Sequence, residues 1–460
     1  MKVVKYMKNI KKLFFGTYIR GFVVSYFIFL MTGAMLLKLP LSIQDGQSLS
    51  WIDAIFVSVS GMSTTGLTTI VVKDVFTVFG QTVLAFILQF GGIGLIMLVS
   101  LFWLVTRKKI SFKERNMIMT DQNQIGRSGI VRFVKNVLIM IITIEIIGFA
   151  IMGTYLAIAY SDVFTISQAY FQAFFLTISM FTNAGFDISP GGDSLMMYST
   201  DYFFQTLAMG LMILGAIGFW PLTELKSWVE AKRKKEKYEF TLFTKILVFM
   251  HLGLWIIGAI VVFGVEFNGF LENKGFFEGL YYSLFMSLTT RNAGFATMNM
   301  TDMSKTIQIF FGILMFIGSS PNSAGGGIRT TTFLLAIMGI VSFARGKDQI
   351  VIKRKSIKFE TVYKSLMVVI AAGALIMVSL LIMSATEPFT VQELFFEITS
   401  AFGTTGLSLG ITSRLSLTGK LIIIIIMFIG RVGILSLLLM FKADKQASTL
   451  KYPEIDLIVG

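Results

Sequence analysis

Residues 51–67 read WIDAIFVSVSGMSTTGL, and three later stretches follow the same pattern: AYFQAFFLTISMFTNAGF at 169–186, EGLYYSLFMSLTTRNAGF at 278–295 and VQELFFEITSAFGTTGL at 391–407. Aligned on Gly66, Gly185, Gly294 and Gly406, each has Thr or Asn two residues before the glycine and Leu or Phe one residue after it. The glycines lie 119, 109 and 112 residues apart, and a period near one hundred repeated four times indicates a duplicated unit. In each stretch the first dozen residues carry aromatic and aliphatic side chains at helical spacing, and the Thr/Asn-x-Gly turn then ends the helix.

The surroundings are apolar. Of 460 residues, 55% are hydrophobic and 14% charged, and the mean hydropathy of +0.76 excludes a soluble domain. Uncharged runs at 21–37, 75–106, 146–161, 202–223, 246–265, 306–328, 365–386 and 421–430 approach or exceed the roughly 20 residues that cross a bilayer. The third starts near Phe133 if Glu145 is accommodated inside the bundle, paired with a neighbour or protonated; the last continues through Arg431 to Phe441. The four glycine stretches fall between these runs. The expected architecture is an all-α integral membrane protein with eight spanning helices, built as four repeats of helix, re-entrant pore helix with filter loop, and helix around one pore. The repeat boundaries are 1–107, 108–225, 226–345, with a broken second helix, and 346–460, with a carboxyl-terminal tail.

Thirty-one of the 40 Lys and Arg fall into alternate loops and the two termini, which places both termini in the cytoplasm. The net charge of +14 is thus a topology signal with capacity for anionic lipid, and not a nucleic-acid surface. The amino-terminal lysines resemble the start of a signal peptide, but no small-residue cleavage site follows and a retained helix is expected. Fourteen acidic residues, among them Asp53, Asp187, Asp193, Glu266, Glu387 and Glu397, lie on the outer half, where a negative mouth concentrates cations. No Cys is present and His251 is the only histidine, expected as a packed helix residue. With one His, no Cys and a single Glu within the spans, an enzyme has neither nucleophile, base nor metal cluster to work with.

Irregular backbone at membrane depth is tolerated where it lines a water-filled pathway. Four loops converging on one axis meet that condition. Their carbonyls can replace the water shell of K+, and glycine lets successive carbonyls face the axis. The expected filter is Thr64, Thr65, Gly66 and Leu67; Asn183, Ala184, Gly185 and Phe186; Asn292, Ala293, Gly294 and Phe295; and Thr404, Thr405, Gly406 and Leu407. Its K+ ligands are the carbonyls of Thr64, Thr65, Asn183, Ala184, Asn292, Ala293, Thr404 and Thr405. Arg291 abuts the third loop and is expected to point away from the axis, toward acids such as Glu278.

The sequence GSSPNSAGGGIRTTT at 318–332 interrupts an apolar run. Pro321 removes a donor, and each glycine costs about 1 kcal/mol relative to alanine in a helix. No strand precedes it and no GK[ST] follows, so it is not a phosphate-binding loop. A polar constriction under the filter is expected, formed by Gly318, Ser319, Ser320, Asn322, Ser323, Gly325, Gly326 and Gly327. Arg431, alone in LIIIIIMFIGRVGILSLLLMF (421–441), is expected to bond the carbonyls or the Ser and Asn side chains of that loop and to add a fixed positive charge.

The TTGL, NAGF, NAGF and TTGL loops, the interrupted helix and the buried Arg431 together resemble the Trk/Ktr/HKT superfamily of K+ transporters, over nearly the whole chain. The absence of a further amino-terminal helix pair and the ending YPEIDLIVG resemble a bacterial Ktr-type membrane subunit most. The resemblance implies K+ uptake across the plasma membrane, a homodimer with one pore per protomer, an intramembrane gate at 318–327, and a cytosolic ring of RCK-type nucleotide-binding regulatory subunits. This chain itself binds no nucleotide. A Na+-selective or Na+-coupled transporter of the same fold is the alternative, and Na+ dependence stays open at this point.

Overall fold

Hydroxyl and amide side chains set the starts of the short helices that precede the glycine loops. Ser50 accepts from Asp53 N to cap α2 (Trp51–Ser63), Thr165 forms a capping box with Gln168 on α5 (Ile166–Phe181), and Thr390 does the same with Glu393 on α13 (Val391–Gly403). The equivalent α9 (Phe276–Thr289) starts after Gly275 without a side-chain cap. The computed structural model describes residues 18–94, 130–192, 194–347 and 349–440. The amino-terminal lysines, the 95–106 part of the second expected span, the boundary at 107/108, Asp193 and the tail from Phe441 lie outside these residues.

Each short helix sits between two further helices. α1 (Tyr18–Leu37) and α3 (Val78–Ile93) flank α2; α4 (Ile130–Ala159) and α6 (Tyr202–Ala216) flank α5. α7 (Phe219–Arg233) continues from α6 after a 104° bend. α8 (Leu242–Glu266) and α10 (Lys305–Ile317) enclose α9, α11 (Thr330–Ala344) follows the 318–329 interruption, and α12 (Phe359–Thr386) and α14 (Leu417–Val432) flank α13. α15 (Ile434–Met440) follows a break at Gly433. Packing is cyclic: α3 lies against α5, α6 against α9, α10 against α13, and α14 against α2, which closes the circle. At that closing seam Lys420 Nζ lies 2.8 Å from Asp53 Oδ1.

Among the described residues, α4, α8 and α12 are each long and apolar enough to cross a membrane, with the bent α6–α7 pair as a fourth of that composition. The helix after every glycine loop ends at a glycine, and not the third alone: glycines with φ of 92°, 103°, 73° and 84° stand at Gly94, Gly218, Gly318 and Gly433. Those dihedrals are open to glycine and costly for other residues, so each glycine ends its helix. The chain is also not purely helical: β1 (Ile350–Ile352) pairs antiparallel with β2 (Lys355–Ile357). Lys353 and Arg354 both take positive φ between them, the dihedrals of a type I′ hairpin turn. Exposed apolar side chains such as Phe249, Ile260, Ile370 and Leu381 on α8 and α12 form the surface that lipid covers.

Candidate functional site

The four glycine loops share one backbone form. Thr64, Asn183, Asn292 and Thr404 have φ of 55°, 52°, 80° and 51°, and Gly66, Gly185, Gly294 and Gly406, two residues on, have φ of 95°, 69°, 74° and 97°. Asn and Gly accept the left-handed region readily; Thr, being β-branched, is strained there. A buried serine six residues before the glycine holds the turn in three loops. Ser60 O accepts from Thr65 N and its Oγ from Gly66 N (3.1 Å); Ser400 repeats both contacts with Thr405 and Gly406 (3.0 Å). Ser179 O takes Ala184 N, and its Oγ takes Phe186 N. In the third loop Thr289 O accepts from Ala293 N and Gly294 N. These serines form an aligned column that the sequence reading did not single out.

The glycines form a ring. A Cβ on Gly66 would lie 2.7 Å from the Ala184 carbonyl oxygen, and one on Gly185 would lie 3.1 Å from that of Ala293. Gly294 faces the Thr405 carbonyl in the same way, and Gly406 faces that of Thr65. Thus each glycine abuts the carbonyl preceding the next glycine, and the fourth returns to the first. Apart from the half-buried Gly185 and Gly406, the residues from the left-handed position to the Leu or Phe after the glycine are buried in all four loops.

The 318–327 segment lies against this ring. The Thr64 hydroxyl donates to Ala324 O at 2.7 Å; Gly325 packs on the Asn292 side chain and Gly326 on that of Thr404. The loop is bonded internally, from Ser319 N to Gly326 O and between the Ser319 and Ser323 hydroxyls (2.6 Å), with Ser320 fully buried. It is also tied to the α6–α7 break, since Phe219 N donates to Asn322 O (2.7 Å) and Ala324 N to Gly215 O (3.4 Å). Gly318 and Gly327 touch each other across its base.

Three arginines bind its carbonyls. Arg431 donates to Ala324 O and to Gly91 O on α3, Arg329 to Gly325 O and Ser320 O, and Arg291 to Gly318 O and Leu314 O. The expected Arg291–Glu278 pairing is wrong: Glu278 takes Lys274 at 3.1 Å, while the guanidinium settles on the carbonyl end of α10, where helix carbonyls lack partners. Arg329, at φ 79°, lies in the expected 318–332 interruption but outside the residues expected to form the constriction. His251 is buried with both ring nitrogens unpartnered, and Glu145 accepts from Gln89 Nε2 at 2.8 Å.

On the far side of the ring from this loop, a cavity of about 460 Å³ opens above Gly66, Gly185, Gly294 and Gly406. Three of the outer acids are buried. Glu266 and Glu387 are buried and accept from Ser304 and Ser416, the caps of α10 and α14; Glu397 is buried and accepts from Ser408 and Thr412. Glu266 and Glu387 satisfy the free N–H and hydroxyl groups of Ser304 and Ser416 at those helix starts.

A family model described as TrkH, cation transport protein, matches residues 17–451. The chain belongs to the TrkH family. Similar members include the Ktr system potassium uptake proteins D and B of Bacillus subtilis (strain 168), 43% identical over 435 residues and 35% over 439, each comparison covering 95% of both chains. The potassium/sodium uptake protein NtpJ of Enterococcus hirae is 32% identical over 95% of both. The crystal structure of the potassium transporter TrkH from Vibrio parahaemolyticus matches in fold, with a TM-score of 0.71 at 20% identity over 92% of this chain and 84% of that one. As a TrkH-family chain with apolar helical spans, it is a multi-pass plasma-membrane protein.

Proposed function

We propose that this chain carries K+ into the cell through the glycine ring, with residues 64–66, 183–185, 292–294 and 404–406 as filter and 318–327 with Arg431 as gate. The observation that supports this best is the ring itself: four loops of one backbone form, each glycine against the next loop's carbonyl, above a hydrogen-bonded polar loop. In that reading the four repeats share one pore. Carbonyl oxygens exchange with the ion's water shell, and an inside-negative potential contributes roughly 2.3 kcal/mol per 100 mV toward entry. Potassium uptake is also what two of the similar relatives are named for. The gate sits closed because its carbonyls are bound by arginines and by Thr64; opening requires those bonds to part. The name of the potassium/sodium relative favours Na+ dependence as the second reading.

Purified protein in liposomes, assayed separately for Rb+ and Na+ uptake with voltage and the Na+ gradient controlled independently, tests this. Rb+ uptake driven by voltage alone supports K+ passage; uptake only with a Na+ gradient moves the assignment to a coupled carrier; no uptake of either ion removes it.

A further inference from the structure

The residues two positions after the ring glycines are Thr68, Asp187, Ala296 and Ser408, and all four line the outer cavity. Three are uncharged. The fourfold order of the ring is therefore broken at its outer rim by a single carboxylate. Among the described residues lining the cavity, only Asp187 and Lys73 are charged. Lys73 comes from the turn Val72–Val75 that follows the first glycine loop, and Asp187 from the second loop. Asp187 Oδ1 accepts from Ser189 N at 2.6 Å, which holds the carboxylate at the rim.

Resting on the transport reading above, we propose that Asp187 is the residue that captures monovalent cations in the outer vestibule, and that Lys73 weakens this capture. Together they set the external concentration at which the pore loads. A concavity with protein walls focuses the field of one charge onto the ion that enters it. That attraction acts on charge alone, so it changes loading and leaves the choice between K+ and Na+ to the carbonyls.

The test is initial Rb+ uptake by right-side-out membrane vesicles holding the full chain, as a function of external Rb+. Asp187→Asn is expected to raise the half-saturating concentration by about threefold at low ionic strength and Lys73→Met to lower it, both effects collapsing in about 0.5 M impermeant salt. The Rb+/Na+ preference stays unchanged in both. If Asp187→Asn fails to fold, the opposite shift from Lys73→Met still decides. Half-saturation unmoved in the folded variants, or moved regardless of salt, overturns the inference while the transport reading stands. Absence of uptake by the unaltered chain overturns both.

Discussion

Gly66 has two constraints that point the same way. Its φ of 95° disfavours any side chain, and a Cβ would press on the Ala184 carbonyl at 2.7 Å. Gly66→Ser should therefore displace one of the oxygens proposed as K+ ligands and raise Na+ uptake relative to Rb+. Unchanged relative uptake in a well-folded Gly66→Ser chain would falsify its place in the filter. Ser60 and Ser400 act one step back, by holding Gly66 N and Gly406 N inside a buried turn. Alanine at either position leaves a buried N–H without its acceptor, at a cost of about 1–3 kcal/mol. A lowered temperature of thermal inactivation in detergent, similar for the two variants, is the expected result; an unshifted temperature means that water replaces the hydroxyl.

At the scale of elements, the 318–327 loop is held from several sides at once: by Thr64, by the α6–α7 break and by three arginines. Arg431 is the one that joins it to a different helix, since its two terminal nitrogens reach Ala324 O and Gly91 O on α3. A guanidinium can bridge two carbonyls in this way and an ammonium can hardly do so. Arg431→Ala, or deletion of 321–326, should raise Rb+ flux in liposomes several-fold, with Arg431→Lys between Ala and the unaltered chain. Flux that is unaltered or lower in the folded Ala variant would show the arginine to be a strut without influence on passage.

For the whole molecule, the cyclic packing of α3, α6, α10 and α14 on the next short helix means that a push on one break reaches the ring through its neighbour. Among the described residues the segments outside the helical bundle are short, such as the 345–358 hairpin region, well under the ~100 residues of a ligand-sensing domain. We propose that regulatory input comes from a separate cytosolic nucleotide-binding ring docked on the basic loops, with the interrupted helix as the two-state element it biases. Purification from native membranes is expected to recover such a partner, and flux should respond to ATP or ADP only in its presence. Recovery of this chain by itself, with flux indifferent to cytosolic extract plus either nucleotide, removes the partner.

The sequence by itself determined the membrane class, the four glycine loops, their short helices and the interruption at 318–327. Those follow from local chemistry: apolar length, helical spacing, and Gly or Pro where a helix must stop. Other features depended on the tertiary structure. A glycine inside an apolar run is equally a packing position or a helix end, and Gly94, Gly218 and Gly433 became helix ends only in their three-dimensional setting. Arg291 has acids within reach along the chain, yet the nearer unsatisfied groups are the carbonyls of Leu314 and Gly318, contributed by another helix. Of the outer carboxylates, the helix packing turns Glu266, Glu387 and Glu397 into buried hydrogen-bond acceptors and sets Asp187 at the rim, because which charge meets water is decided by what packs over it.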